Sequence, residues 1–364
     1  MFRSLVVCFA VWLSVGATPP VSAHELNPAV IEAIAGEIIT YDSHHDEVLD
    51  DVVADPRSES RTFYSFPEWY IVYSAQEYAD FVAAGNRPSQ FPYFAAIGQM
   101  WDSWALTEVA AGVPPDATTD TILWTIAISF TVEYGLVGMY ENTIGWLNEW
   151  LHFGYKTAED TYIDEQAKLY GAFLNQTPWY DFAYGKSLGG LWQTYGWSSL
   201  SPRGIERRIA YTVGYGAKAA YAAGIRALSA ASFEGGAGQI TVVTVVADPA
   251  TLNSLGGEYE AAVNSGEYVV SLPRYRAFKN PIIALARMDV ELITIQGHST
   301  IALSVVTPRE VTCDLVISNQ VFGMPLVTDG LQTRRVLSVS VSELSDVLDN
   351  IVSCGFEVEH VYDY

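Results

Sequence analysis

Two hydrophobic patterns divide the chain near the glycine pair Gly235-Gly236. Before this pair, apolar and often aromatic residues recur at the three-to-four-residue spacing of amphipathic helices. After it, short β-branched segments alternate in polarity, as strands with one buried face do, and helical segments separate some of them. The patterns predict an α+β protein with an aromatic-rich helical domain over residues 61–235 and a mixed α/β domain over residues 236–364.

Proline and glycine positions set the ends of the predicted helices. Phe66-Pro67-Glu68-Trp69 begins the first one, because proline is tolerated in the first turn and an acid there complements the helix dipole. This helix is expected to end near Gly85. The further helices of this domain are predicted over residues 93–111, 121–153, 159–175, 179–195 and 205–232, and a short helix over 28–39 precedes them all.

The second domain is predicted to be a sandwich with one sheet, and the ferredoxin-like arrangement is the expected topology. Its strands are expected over residues 239–247, 291–296, 301–307, 314–318, 335–341 and 356–362. Its helices are expected over residues 249–262, 276–288 and 342–353. The sequence shows no evident internal repeat.

One segment of the helical domain, Thr121–Tyr140, is a nearly continuous apolar run that Glu133 interrupts. A run of about twenty such residues is long enough to cross a bilayer, and an ionisable side chain inside it is then a functional-site hypothesis. If the helix instead lies in a soluble core, the same carboxylate needs a partner. We expect the central core helix of an exported domain, and a membrane-spanning helix is the alternative.

The last predicted helix of this domain offers cations at a matching spacing. Glu133 and Glu141 are eight residues apart, as are Lys218 and Arg226. An antiparallel pairing would set Glu133 against Arg226 and Glu141 against Lys218 as structural ion pairs. The same helix carries small residues at intervals of four, which would let another helix approach closely: Gly216, Ala220 and Gly224.

The N-terminus predicts export. A positive charge at Arg3, the apolar stretch Leu5–Ala17 and the small residues of Val21-Ser22-Ala23 form the pattern of a signal peptide over residues 1–23, cleaved after Ala23. A periplasmic or envelope location follows. A retained N-terminal anchor is the alternative, and membrane attachment through it or through residues 121–140 stays open.

Cysteine usage agrees with export. Cys8 would leave with the signal peptide, so Cys313 and Cys354 would remain. An even pair in an oxidising compartment is a candidate disulfide. Two separate buried thiols are the alternative.

The charge of −23 excludes some partners. It argues against nucleic acid and against anionic lipid headgroups held by bulk electrostatics. Residues 24–60 form an acidic segment with ten acids and one base, Arg57. His44, His45 and Asp46 of this segment are weak metal candidates, and a solvated acidic segment is the better interpretation. We expect no cofactor.

Four short motifs resemble a family of uncharacterised bacterial exported or membrane-associated proteins. They are Phe66-Pro67-Glu68-Trp69-Tyr70, Phe130-Thr131-Val132-Glu133-Tyr134, Tyr140-Glu141-Asn142-Thr143-Ile144-Gly145 and Leu272-Pro273-Arg274-Tyr275. The resemblance covers most of residues 61–310. It implies no known activity, but it implies that Glu133 and Glu141 belong to one shared element.

The residues favour a non-catalytic binding or structural protein of the envelope, with an unknown envelope protein or ligand as partner. The alternative enzyme would be a carboxylate-dependent hydrolase of a sugar or similar ligand. It would use Glu68, Glu133 or Glu141 as general acid and base, since paired carboxylates are the usual equipment for glycoside cleavage. A second alternative is a single-pass membrane accessory protein. Two carboxylates open to solvent would favour the hydrolase, and carboxylates bound to cations would favour a structural role.

Overall fold

The structure is a computed structural model, which describes residues 59–175, 177–195, 201–229, 240–246, 259–261, 267–273, 276–287 and 290–362. It confirms the α+β class: an aromatic-rich helical region precedes two small antiparallel sheets. The predicted signal peptide, the helix over 28–39 and most of the acidic segment lie outside the described residues.

The described helices of the first region follow the predicted ones closely. Two of their ends have the expected cause, since Gly85 and Gly112 adopt left-handed φ values of 92° and 66° that favour glycine. The helices are α1 (Phe66–Ala83), α2 (Tyr93–Ala111), α3 (Ala117–Tyr140), α4 (Trp146–Leu151), α5 (Ala158–Leu174), α6 (Tyr184–Tyr195) and α7 (Pro202–Ser229).

The predicted long helix is continuous but contains one irregular turn. Asp116 caps its start, because the carboxylate accepts from the backbone N–H groups of Thr118 and Thr119. Between α3 and α4, residues Glu141–Gly145 form a π-helical turn, in which the Trp146 N–H donates to the Glu141 carbonyl five residues back. We refer to Ala117–Leu151 as the long helix. Turns of this kind often occur at functional sites.

The core of the helical region is aromatic and centres on α1. Phe66, Trp69, Tyr70 and Tyr73 are buried along this helix. They pack with the inward side chains of α2 and α3, among them Phe130, whose ring meets Tyr70 edge-on at 5.8 Å between centroids. Edge-to-face contacts of this kind stabilise beyond the area they bury.

The second region contains two sheets instead of the single predicted one. The first has the order β2-β3-β1-β4 and the second the order β6-β7-β5-β8, and every pairing is antiparallel. The strands are β1 (Ile240–Val246), β2 (Tyr259–Ala261), β3 (Glu267–Pro273), β4 (Glu291–Ile295), β5 (Thr300–Pro308), β6 (Gln320–Pro325), β7 (Gln332–Ser340) and β8 (Val358–Val361). The helices are α8 (Arg276–Ala286), α9 (Asp314–Asn319) and α10 (Leu344–Ser353).

The second sheet unit matches the ferredoxin-like expectation. Residues of β5 to β8 follow the order β-α-β-β-α-β, with α9 and α10 as the two helices. The first sheet has the same relative strand order, and α8 lies between its third and fourth strands. The two described sheets thus share one strand order, which the sequence does not reveal.

Two predictions for this region are wrong. Residues 314–318 form the helix α9 and not a strand, and Tyr259–Ala261 form a strand inside the predicted helix 249–262. In α9, Val316 is completely buried in the core that both sheets share. Packing of this kind overrides local β-propensity in a segment of six residues.

The second sheet packs its other face against α1 and so joins the two regions. Trp69 stacks on His360 with 3.5 Å between ring centroids, and the Tyr73 hydroxyl lies 2.9 Å from that of Tyr362. The helical region and the second sheet therefore share one core.

A buried arginine adds a polar connection between the same two regions. Arg334 of β7 donates to Glu77 of α1 at 3.0 Å and to Glu359 of β8 at 2.6 and 2.8 Å. Its guanidinium also lies 4.0 Å from the centroid of the Tyr73 ring. Helix α1 is thus held to the second sheet by charge as well as by aromatic packing.

The two cysteines of the second region lie at disulfide distance, which favours the candidate disulfide over two separate buried thiols. Cys313 precedes α9 and Cys354 follows α10, with 6.1 Å between their Cα atoms. The pair closes a loop across the second sheet unit, with a sequence separation of 41 residues.

Candidate functional site

The acid inside the apolar run is bound to a lysine. Glu133 Oε1 lies 2.6 Å from Lys218 Nζ, and their side chains are 42% and 21% exposed. The Lys218 ammonium also lies 4.5 Å from the centroid of the Tyr170 ring, where the π-electrons attract a cation. Burial lowers the pKa of Lys218, but Glu133 opposes it strongly enough that the pKa is raised overall. Lys218 therefore stays charged.

The second acid of the long helix is buried and held by an arginine. The Nη1 and Nη2 atoms of Arg207 donate to Oε1 and Oε2 of Glu141 at 2.8 and 3.2 Å. This two-point geometry is the strongest form of a carboxylate–guanidinium contact. Burial raises the pKa of Glu141, and Arg207 opposes that rise. Glu141 is thus buried, and both of its carboxylate oxygens already accept from Arg207.

Arg203, one turn before Arg207 in α7, contacts α4, α5 and the π-helical turn. Arg203 Nη2 lies 2.8 Å from Asp160 Oδ1 of α5 and 3.3 Å from Glu149 Oε1 of α4. Its Nη1 donates to the carbonyl of Gly145 in the π-helical turn at 3.2 Å. Glu149 also accepts from the Ser89 hydroxyl. This ion-pair cluster fixes the start of α7 against the end of the long helix.

Glycine at position 145 makes the close approach possible. A Cβ atom added there would collide with the Glu141 carboxylate and would lie 3.3 Å from Nη2 of Arg207. Only a residue without a side chain leaves room for the ion pair beside the π-helical turn.

The predicted register of the two helices is wrong, although their antiparallel direction is right. Lys218 binds Glu133 and not Glu141, and Glu141 binds Arg207. Arg226 donates instead to the Tyr180 carbonyl. The equal spacing of eight was misleading, because long arginine side chains reach carboxylates that do not lie directly opposite.

The small-residue face of α7 is not a contact surface between helices in the described chain. Cβ atoms added at Gly216 and Gly224 would meet nothing within 4 Å, and Ala220 is exposed. The predicted close approach is therefore wrong.

The long helix is not a core helix, contrary to the prediction. Among the described residues it alone is long and apolar enough to cross a membrane, but only about a fifth of its most apolar stretch is buried. Leu123, Ala127 and Phe130 face the core, while Leu136, Met139 and Trp150 are 64%, 61% and 63% exposed. Since both faces are apolar, the sequence could not distinguish the buried one.

The three catalytic candidates lie in three different surroundings. Glu68 is exposed in the first turn of α1, Glu133 is half-exposed and bound by Lys218, and Glu141 is buried and bound by Arg207. The metal candidates His44, His45 and Asp46 lie outside the described residues. Within the described ranges, no group of three His, Cys, Asp or Glu side chains could hold a metal ion.

Sequence reasoning missed the arginines that bind the acids. Arg203, Arg207 and Arg208 are 3%, 3% and 1% exposed, which is rare for this residue type unless it is paired. The signal was present in the Pro202–Arg208 segment, where three arginines follow a proline at a helix start. Glu141 and Glu149 of the long helix would have supplied the matching acids.

Comparison of the chain with protein-family models, with curated proteins and with solved structures finds no match.

Proposed function

We propose that the protein is an exported, envelope-associated structural or binding protein and not an enzyme. The observation that carries this proposal is the fixed state of the two acids of the long helix. Lys218 binds Glu133, and Arg207 occupies both oxygens of Glu141. Carboxylates in such pairs hold helices together, whereas a general acid or base must be able to reach a substrate.

Two further features support export to the envelope. The N-terminal pattern of residues 1–23 is that of a signal peptide, and Cys313 and Cys354 lie at the distance of a bond that oxidising compartments permit. The resemblance of the motifs around Glu133 and Glu141 to exported or membrane-associated proteins points the same way. The partner is an envelope component, and the charge of −23 disfavours nucleic acid.

A glycoside assay distinguishes this proposal from the hydrolase alternative, because only a hydrolase would turn the substrate over. Purified protein and its Glu68→Gln, Glu133→Gln and Glu141→Gln variants are assayed on a panel of chromogenic glycosides, and each melting temperature is measured. The proposal expects no turnover by any of them and a loss of stability for Glu141→Gln. Turnover that a variant abolishes while its melting temperature stays at the unmodified value would establish an enzyme instead.

A further inference from the structure

The outward side of the long helix is largely apolar from Ile122 to Leu151. Large exposed side chains recur on it at intervals of three, four or seven residues: Ile128, Val132, Leu136, Met139, Trp146 and Trp150. The acids between Ile122 and Leu151 do not contribute to this stripe, since Glu141 and Glu149 are buried and Glu133 is bound by Lys218. The stripe is about 45 Å long from Ile122 to Leu151. Single exposed apolar residues are normal on a protein surface, but a continuous apolar patch of this size marks an interaction site.

The polar side chains on this face do not depend on water. The hydroxyls of Thr121, Thr125 and Thr143 donate to the carbonyls four residues earlier in the helix, at 2.7, 2.8 and 2.6 Å. The Asn148 amide does the same to Ile144 at 2.9 Å. Because a polar group is costly to bury only when it is left unpaired, these residues can leave water at little cost.

Helix α7 widens the same surface. The Tyr221 hydroxyl lies 3.3 Å from that of Ser129, which places α7 along one edge of the apolar stripe. Ile209 and Val213 are exposed on α7, and the exposed residues between Ile209 and Gly224 carry no charge. The uncharged surface therefore spans two helices.

The absence of charge on this surface indicates what it contacts. An uncharged face on a chain of net charge −23 offers nothing to a cationic or an anionic partner. Two copies of so acidic a chain would also repel one another on approach. Hydrocarbon needs no charge partner, and tryptophans such as Trp146 and Trp150 are side chains that favour the membrane interface. We propose that this face of the long helix and α7 lies in one leaflet of a lipid bilayer.

The surrounding helices favour a placement in the membrane plane over a crossing. Helix α5 runs alongside α7, because Asp160 contacts Arg203 and Tyr170 contacts Lys218. Between those two levels α5 exposes Glu165 and Lys168. A crossing would bring both charges to hydrocarbon depth, at about 2.5–3.5 kcal/mol each. Lying in the plane, the protein keeps the exposed side of α5 in water and only the apolar face in lipid.

This inference rests on the proposed envelope association and names a lipid surface as the partner. The test is flotation of the processed protein with phosphatidylcholine vesicles. The unmodified protein is expected to float, and a Leu136→Glu, Met139→Glu double variant to lose partitioning by at least about tenfold. Leu331→Glu is the matched control, because Leu331 is 74% exposed in the second region and should not affect flotation.

Two further measurements keep the result decisive. Circular dichroism must show that the double variant is folded, and adding phosphatidylglycerol must not strengthen binding, since the attraction is apolar. Failure of the unmodified protein to float, or equal flotation of the folded double variant, would overturn the inference. A dimer in vesicle-free buffer that the double variant dissociates, with no flotation, would assign the face to a second copy. The proposed function fails only if the protein hydrolyses a glycoside, and flotation does not measure hydrolysis. A failure of this inference can therefore be distinguished from a failure of the proposed function.

Discussion

Glu141 and Arg207 join the π-helical turn of the long helix to the first turns of α7 through two parallel hydrogen bonds of 2.8 and 3.2 Å. Both side chains are buried, and Arg207 also binds Glu206 of its own helix. Arg207→Met should lower the free energy of unfolding by about 3–5 kcal/mol, because it leaves Glu141 buried without its cation. Adding Glu141→Gln should recover part of that loss, which urea unfolding of the four proteins would measure.

The control for this cycle combines Glu141→Gln with Arg226→Met. Arg226 was the partner expected for Glu133, and it binds the Tyr180 carbonyl instead. Its effect should add to that of Glu141→Gln within about 0.5 kcal/mol. Additive effects in the Arg207 cycle would mean that the ion pair does not stabilise the fold in solution.

Gly145 and Gly135 lie on the same long helix and should respond in opposite ways to alanine. A Cβ at position 145 collides with the Glu141 carboxylate, while one at position 135 meets only Ile97 at 4.0 Å. Gly135→Ala should therefore stabilise the protein by up to about 1 kcal/mol, as alanine does in helices. Gly145→Ala should destabilise it, and thermal unfolding of both variants measures the difference. Equal stabilisation by the two would refute the close approach.

Arg334 should matter far more than its neighbour Arg335. Removing Arg334 leaves Glu77 buried without a cation and frees Glu359, so Arg334→Met should cost about 3–5 kcal/mol. Arg335 donates to neutral oxygens, among them the Thr307 hydroxyl at 2.8 Å, and Arg335→Met should cost about 1 kcal/mol. Urea unfolding followed by tryptophan fluorescence provides the measurement. Similar costs at both positions would argue against a charged link between α1 and the second sheet.

Two buried carboxyl groups predict how stability depends on pH. Burial raises the pKa of Glu77 and of Glu141 above the ordinary 4.5, and Arg334 and Arg207 oppose that rise. The folded protein then binds these protons more tightly than the unfolded chain does. Their contribution to stability is fully present below pH 4.5 and is lost as the pH rises through the folded-state pKa values.

Glu77→Gln and Glu141→Gln test this dependence, because an amide does not titrate. Each variant should flatten the fall in unfolding free energy between about pH 4 and 7 relative to the unmodified protein. A slope that stays the same in both variants would contradict the raised pKa values.

Helix boundaries were predictable because they depend on local chemistry. Pro67 and Glu68 at a start and the left-handed glycines Gly85 and Gly112 at two ends act within a single turn. The α+β class could also be predicted from the sequence, and Cys313 and Cys354 could be named as a candidate disulfide. The doubled sheet could not be predicted, since strands such as β2 and β6 are short, and the pairings of β1 with β4 and of β5 with β7 and β8 join residues far apart in the chain.

Two further features could not be predicted from the sequence: which cations bind Glu133 and Glu141, and which side of the long helix is exposed. The partners of Glu133 and Glu141 are Lys218 and Arg207, which are eleven residues apart and not eight, so equal spacing in sequence is a poor guide. Apolar residues occur on every side of α3, and therefore their periodicity does not show which side meets the core. Only the packing of α1 and α2 against Leu123, Ala127 and Phe130 decides that.

The central claim is that the long helix lies flat, with its acids bound on the protein side and its apolar stripe in lipid. Spin labels on single cysteines, placed in turn along the stripe, measure depth in phosphatidylcholine vesicles through accessibility to oxygen and to a water-soluble nickel complex. The positions to label are Ile128, Val132, Leu136, Met139 and Trp146. The account predicts hydrocarbon exposure at a similar shallow depth for all five. Depth that changes steadily along the helix, by about 1.5 Å per residue, would show a crossing, and labels that stay in water would contradict membrane contact.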